Sequence, residues 1–333
     1  MYEIRPSPGK GLGVFSTRSI KRGECIMTDK AILSHTKDEQ QRCWFVALRA
    51  NFDRLSREDK DEYQALFYDF GLVDERLYPV VRHFMSLYLN TEDDLLLHLE
   101  LMGFLKIMAI FLTNNAAMGF DAENGQGIFP KYSRLNHSCL PNATWTYNPE
   151  TERMDVYAHQ DIAVDEEITI SYVDPITPSS VRMEKCQKGF GFACDCVACE
   201  GSEHEIRETR RQRIFDLYSL IESDIEGNLD FDELLQSADE NLDRASEYIA
   251  LLQDEGIVGV ELAEGYEFCA FFHAIKGDYD EASSFGEKAL ENRRACRGYR
   301  LADEEGLEED LEENSEDHED SHGWWEWLCC FRG

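Results

Sequence analysis

The chain has 333 residues, 43% of them hydrophobic and 11% aromatic, and a formal net charge of −34 at pH 7. That length suits two or three domains, each able to bury its own core. The charge repels polyanions and argues against direct nucleic-acid binding, whereas basic peptides or proteins would be attracted.

Residues Tyr2 to about Leu33 read as short strands and turns, with Gly9, Gly11, Gly13 and Gly23 punctuating apolar pieces such as Val14-Phe15 and Cys25-Ile26-Met27. From about Lys37 to Met118 the spacing is helical. Ser56 followed by Asp59 marks a helix start, and Tyr63, Leu66, Phe67 and Phe70 are expected on one face. Leu101 to Leu112, interrupted by Lys106, reads as a buried core helix; no uninterrupted run is expected to cross a membrane, and no secretory segment is evident.

Strands return at Ala143–Tyr147, Met154–Ala158 and Glu167–Ser171, the first two joined as a hairpin through Asn148-Pro149-Glu150. Beyond Cys199, helical repeats run through Ile214, Leu217, Tyr218 and Ile221, then Leu234, Leu235, Leu242 and Ile249. Ala270–Ala282 predicts a helix, a tight turn and a second helix, in the manner of one tetratricopeptide unit or of a generic bundle. Asp303–Asp320 is almost wholly acidic and too poor in apolar residues to fold alone. The Trp324-Trp325-Glu326-Trp327-Leu328 cluster after it is expected to close back on the helical lobe or to dock on a partner.

Eleven cysteines without a signal peptide point to a reducing, intracellular compartment, where clustered thiols bind metal or stay free. Nucleus and cytoplasm are not distinguished, because Arg207–Arg213 is a poor import cluster. Cys194-Asp195-Cys196-Val197-Ala198-Cys199 offers three soft ligands from one tight turn, and a structural zinc site needs a fourth. Cys139, in Asn136-His137-Ser138-Cys139, is the favoured candidate; Cys186 is the competitor, and His137 a less attractive one. Four protein ligands leave no open position, so such a zinc would be structural.

Four segments stand in order: Gly9-Lys10-Gly11-Leu12-Gly13, Asn136–Cys139, Glu166–Tyr172, and the thiol cluster preceded by Phe190 and Phe192. Together they resemble the SET-domain protein lysine methyltransferases, and the helical insertion and C-terminal lobe resemble the SET-and-MYND-type branch. A MYND zinc finger is missing from that likeness, since residues 34–100 hold only Cys43, His35, His83 and His98 as potential ligands. The resemblance implies an α+β fold. A β-rich SET core with a pseudoknot (1–35 and 101–180) would be followed by a zinc-binding post-SET segment (181–202), a helical lobe (203–300) and an acidic tail (301–333), with a helical insertion at 36–100.

The same resemblance implies S-adenosylmethionine as cofactor, held by Lys10, Gly11, Leu12, Asn115, Asn136, His137, Tyr172 and Phe192. Asn115 would bond the methionine portion, although a helix-ending role for Asn114 and Asn115 is the plainer reading of that pair. Tyr172 would be the catalytic residue, Phe190 a wall of the lysine channel, and Cys139, Cys194, Cys196 and Cys199 the zinc ligands. The implied substrate is a basic, lysine-containing segment of a histone or other protein, met by a monomer. A catalytically silent SET-fold scaffold is the alternative.

Overall fold

The computed structural model describes residues 1–119, 122, 124–227 and 231–297; the acidic tail and the tryptophan cluster lie outside them. Strands β1 (Tyr2–Ser7) and β2 (Gly11–Ser16) form the opening hairpin, followed by β3 (Cys25–Lys30) and β4 (Leu33–His35). Four helices succeed them: α1 (Lys37–Arg54), α2 (Arg57–Gln64), α3 (Tyr78–Leu89) and α4 (Asp94–Asn114). The chain then returns to β structure in β5 (Ala116–Ala117), β6 (Gln126–Ile128), β7 (Asn136–His137), β8 (Ala143–Asn148), β9 (Arg153–Ala158) and β10 (Glu167–Ile170). Helices α5 (Ser179–Phe190), α6 (Val197–Glu200), α7 (His204–Glu226), α8 (Phe231–Glu255), α9 (Val260–Ile275) and α10 (Tyr279–Arg297) complete the described chain.

The strands make three small sheets, ordered β1-β2-β10-β7, β3-β9-β8 and β4-β6-β5. In the first, β7 runs parallel to β10, pairing Asn136 with Thr169 and His137 with Ile170. Parallel neighbours need a crossover, and here the crossover is the whole β8–β9 hairpin. Its turn is set by Asn148, whose Oδ1 accepts from the backbone of Glu150 (3.0 Å) and Thr151 (3.1 Å), an Asx turn as the Asn-Pro spacing predicts. Val14, Ile20, Val156, Ile168 and Ile170 fill the core between the first two sheets.

The insertion has its own core, built on Phe45, Leu48, Tyr63, Val81, Met85, Leu101, Phe104 and Met108. Ser56 caps α2 by accepting from Asp59 N–H, as expected (3.1 Å). Helix α4 is longer than Leu101–Leu112 and, by length and composition alone, would suffice to cross a bilayer. Its second half is buried instead: Leu105 and every residue from Ile107 to Phe111 pack inside the protein. This helix also runs through residue 100, the expected boundary between insertion and core, so the two share one rigid element.

One expectation about a helix face fails. Helix α2 stops at Gln64, leaving Phe67 67% and Phe70 45% exposed. The carbonyls that a longer helix would have used are taken by the core: Arg134 Nη2 donates to Ala65 O (3.0 Å) and Asn114 Nδ2 to Phe67 O (2.7 Å). On α8, Leu235 faces solvent, whereas Leu234, Ala238, Asn241, Ala245, Tyr248 and Leu252 form the buried stripe.

The C-terminal lobe is a layered set of helices with Ile214, Leu217, Tyr248, Phe268 and Phe272 at its centre, and α9 and α10 form the expected helical hairpin. Arg22 fastens α10 to the strands through Asn292 Oδ1 (2.7 Å). The Arg207–Arg213 run is no free basic patch. Arg207, Arg210 and Arg211 converge on the buried carboxylate of Glu255, at 3.2, 2.6 and 3.0 Å. Three cations need that one anion, because a buried guanidinium without a counter-charge is strongly unfavourable. Glu255→Ala is therefore expected to destabilise the fold by about 3–5 kcal/mol, seen as a lowered thermal midpoint; an unchanged midpoint would contradict the role given to Glu255.

Candidate active site and thiol cluster

Helix α5 ends where Gly191 adopts a left-handed conformation (φ 76°) and its N–H donates to Gln187 O (3.2 Å). A side chain there would be strained and would also collide with Asp69. The chain then turns sharply through Phe192 into the thiol run, where Cys199 N–H donates to Cys196 O (2.8 Å). The sulfurs of Cys139, Cys194, Cys196 and Cys199 all lie within 4.8 Å of one another. Cys186 is buried in the same cluster of side chains but is not one of the four.

Tetrahedral bonds of about 2.3 Å to one zinc space sulfurs about 3.8 Å apart. Cys139 Sγ is 3.9 Å from Cys194 Sγ and 3.6 Å from Cys199 Sγ, so donor set and spacing fit Zn²⁺. Among the described residues this is the only such cluster of metal-type ligands. Hydrogen bonding to the other three thiols pushes the Cys139 thiol well above its ordinary value, which is the price of crowding sulfurs that a cation would hold as thiolates.

Side chains that the motifs did not reveal surround Cys139. Arg182, fully buried on α5, places Nε 3.2 Å from its sulfur and donates through Nη1 to Thr177 O. Arg211, from α7, donates through Nη2 to Cys139 O (2.9 Å) and through Nη1 to Pro175 O. Two buried guanidiniums suit a site that carries net negative charge once four thiolates bind one divalent ion. His137 completes the ring of contacts. Its Nδ1 accepts from Tyr172 N–H (3.0 Å), which leaves Nε2 to face Cys139 Sγ at 3.3 Å. Burial pushes this imidazole down to about 4, so it is neutral with its proton on Nε2. The ring links the thiols to Tyr172.

Tyr172 follows β10 and enters an aromatic nest. Its ring centroid is 4.8 Å from Phe190, 5.3 Å from His137 and 6.3 Å from Phe192. The phenol donates to Leu135 O, and burial pushes it above its ordinary value, so the proton stays on the oxygen.

The glycine hairpin closes beside this nest. Lys10 N–H donates to Ser7 O (3.1 Å), and Gly9 and Gly11 have φ of 75° and 79° with nothing within 4 Å of where a Cβ would sit. Lys10 and Leu12 are exposed there. Gly13 is crowded instead: a Cβ would lie 2.9 Å from Asn136 Nδ2 and would overlap Glu167 Oε1. That close approach lets Asn136 Nδ2 donate to Leu12 O (3.1 Å) and Glu167 Oε1 (2.7 Å). Asn115 ends α4, and its Nδ2 donates to Phe111 O (2.9 Å) and Leu112 O (3.3 Å), the helix-ending use of the pair.

The comparisons match this arrangement. Residues 11–173, from the second hairpin glycine to the residue after Tyr172, match the SET domain family. The chain carries a SET domain. It is 26% identical over 208 residues to "Histone-lysine N-methyltransferase set5" of Schizosaccharomyces pombe, covering 62% of this chain and 53% of that protein. It is 29% identical over 163 residues to "Histone-lysine N-methyltransferase SMYD3" of Homo sapiens, covering 48% of this chain and 34% of that one. The chain thus spans about half or less of the relatives it matches. A solved structure of Rubisco LSMT bound to AdoMet covers 88% of both chains at 13% identity with a TM-score of 0.37. The likeness drawn from the four segments to SET-domain proteins of the SET-and-MYND type is borne out.

The thiol geometry leads to a measurable outcome. Purified Cys139→Ser is expected to hold substoichiometric zinc by elemental analysis. Arg182→Met is expected to release zinc to a chromogenic chelator about tenfold faster than the parent, in line with loss of an outer-shell partner. Equal release rates would remove Arg182 from the site.

Proposed function

We propose that this chain is a protein-lysine N-methyltransferase that uses S-adenosylmethionine. The observation that carries the reading is the convergence of the Tyr172 phenol, the open glycine hairpin and the Phe190–Phe192 wall around the β7–β10 pair. S-adenosylmethionine, when bound, would supply an electrophilic methyl; an uncharged lysine amine would bond to that carbon as the carbon–sulfur bond breaks, the thioether would leave, and the nitrogen's extra proton would pass to solvent.

Lys10, Gly11 and Leu12 would lie along the amino-acid end of the cofactor, where no Cβ blocks the glycine backbone. Asn136 and His137 would border its middle, and Phe192 its ring. The Tyr172 proton is committed to Leu135 O, so the phenol oxygen is free to accept from a lysine amine and hold its lone pair in line. Free lysine has a pKa near ~10.4. The aromatic walls of Tyr172, Phe190 and Phe192 exclude water and disfavour the ammonium, so no dedicated strong base is needed. Cys139, Cys194, Cys196 and Cys199 would hold the zinc, whose part is to tie the Phe190–Phe192 segment to β7. The net charge of −34 favours a basic protein segment as substrate. A reduced four-thiol site supports residence inside the cell, in the nucleus or the cytoplasm.

The silent-scaffold alternative and the enzyme differ in two measurements. Calorimetry should show S-adenosylmethionine binding to the parent, and Tyr172→Phe should bind it equally while methyl transfer to basic peptides falls by about a hundredfold or more. Full activity in that variant would remove Tyr172 from the reaction, and absence of cofactor binding in the parent would favour the scaffold.

A further inference from the structure

Glu167 opens β10, the strand that lies between β2 of the glycine hairpin and β7, and it is half-buried there. It stands two residues before Thr169, on the same face of the strand, and Thr169 pairs with Asn136 of β7. From the other side β2 presents Gly13, whose missing side chain leaves the room that Glu167 Oε1 and Asn136 Nδ2 occupy together. No cation pairs with Glu167 among the described residues, and its carboxylate lies within electrostatic reach of the Tyr172 phenol.

A carboxamide carries two donors on its nitrogen and an acceptor oxygen. Asn136 uses both donors inside the protein, donating to Leu12 O (3.1 Å) and to Glu167 Oε1 (2.7 Å). A backbone carbonyl and a carboxylate only accept, so the reversed amide would set oxygen against oxygen at both contacts. The network therefore fixes which way the amide points. Asn136 Oδ1 is left as an acceptor with no partner among the described residues, beside the open hairpin at Leu12. A lone acceptor next to an unpaired carboxylate suits a cation that carries N–H donors. On S-adenosylmethionine the sulfonium is charged but has no donor, and the adenine amine is a donor without charge. Only the α-ammonium is both.

We propose that Glu167 is a positioning residue, which locks the Asn136 carboxamide so that its oxygen receives the α-ammonium of the cofactor. The assignment rests on the methyltransferase reading and adds a selectivity to it, for cofactors that keep the ammonium over those that lack it. With Glu167 gone, Leu12 O alone would hold the amide. The carboxamide could then turn and present N–H donors, which oppose an ammonium.

The test uses the full chain and reads binding by calorimetry, so it does not depend on methyl transfer. Three probes are compared: S-adenosylhomocysteine, its analogue with hydrogen in place of the α-ammonium, and methylthioadenosine, which lacks the amino-acid end. The parent is expected to prefer S-adenosylhomocysteine to the desamino analogue by roughly thirtyfold. In Glu167→Met, which keeps the length without the acceptor, that preference should fall to about threefold or less, with methylthioadenosine bound as in the parent. Glu167→Gln retains an acceptor oxygen for Asn136 Nδ2 and should keep a preference of about tenfold, through a weaker neutral bond. The same preference in the parent and in Glu167→Met overturns the lock. A loss of methylthioadenosine affinity as large as the loss for S-adenosylhomocysteine also overturns it, since Glu167 would then only support the fold. Where Glu167→Met does not fold, the other two proteins decide: equal affinity of the parent for both analogues, or a preference abolished in Glu167→Gln, overturns the lock. A preference that follows the expected order supports it even if no peptide is methylated and the activity reading alone fails.

Discussion

Cys139 is where separate parts of this protein meet. Its sulfur joins three others from a segment 55 to 60 residues away in sequence, its carbonyl accepts from Arg211 of the C-terminal lobe, and its near neighbour His137 bonds the backbone of Tyr172. A single crowded, soft-ligand cluster therefore sets the position of the phenol, the aromatic wall and the lobe relative to one another. The arrangement requires positive charge at its centre, because four thiolates and buried guanidiniums are each unfavourable alone and compatible together.

From that cluster outward, the site is held from several directions. Asp69, in the irregular stretch between α2 and α3, accepts from Gly71 N–H (2.8 Å) and takes up the space that a Gly191 side chain would need. Its backbone N–H donates to Thr113 Oγ1 (3.2 Å). The insertion thereby presses on the turn between Phe190 and Phe192, and α4 carries that contact into its own core. On the opposite side, Arg211, held within the C-terminal lobe by Glu255, donates to Cys139 O and Pro175 O and so ties the lobe to the same region. Insertion, SET domain and lobe act as one body around the aromatic nest.

Much of the architecture was legible in the residues. Period-two and helical spacing located the β8–β9 hairpin, α4 and the α9–α10 hairpin, since those patterns follow from burying one face of a regular element. The early end of α2 was not legible: Phe67 and Phe70 continue a helical rhythm, yet Arg134 and Asn114, more than 45 residues away, claim the carbonyls. Arg182 and Arg211 gave no local signal either. Each looks like a surface cation in sequence, and only the folded chain shows one beside a thiol and the other beneath it.

What the sequence by itself determined was the chemistry on offer: three thiols on one turn, a fourth behind a histidine, a tyrosine after a strand, and glycines where backbone must come close. Local spacing encodes such things because ligand type and turn geometry are properties of short segments. Which fourth sulfur completes the cluster and which nitrogen of His137 carries the proton were decided by tertiary structure. Those outcomes depend on through-space distance and desolvation, and neither is a function of position along the chain.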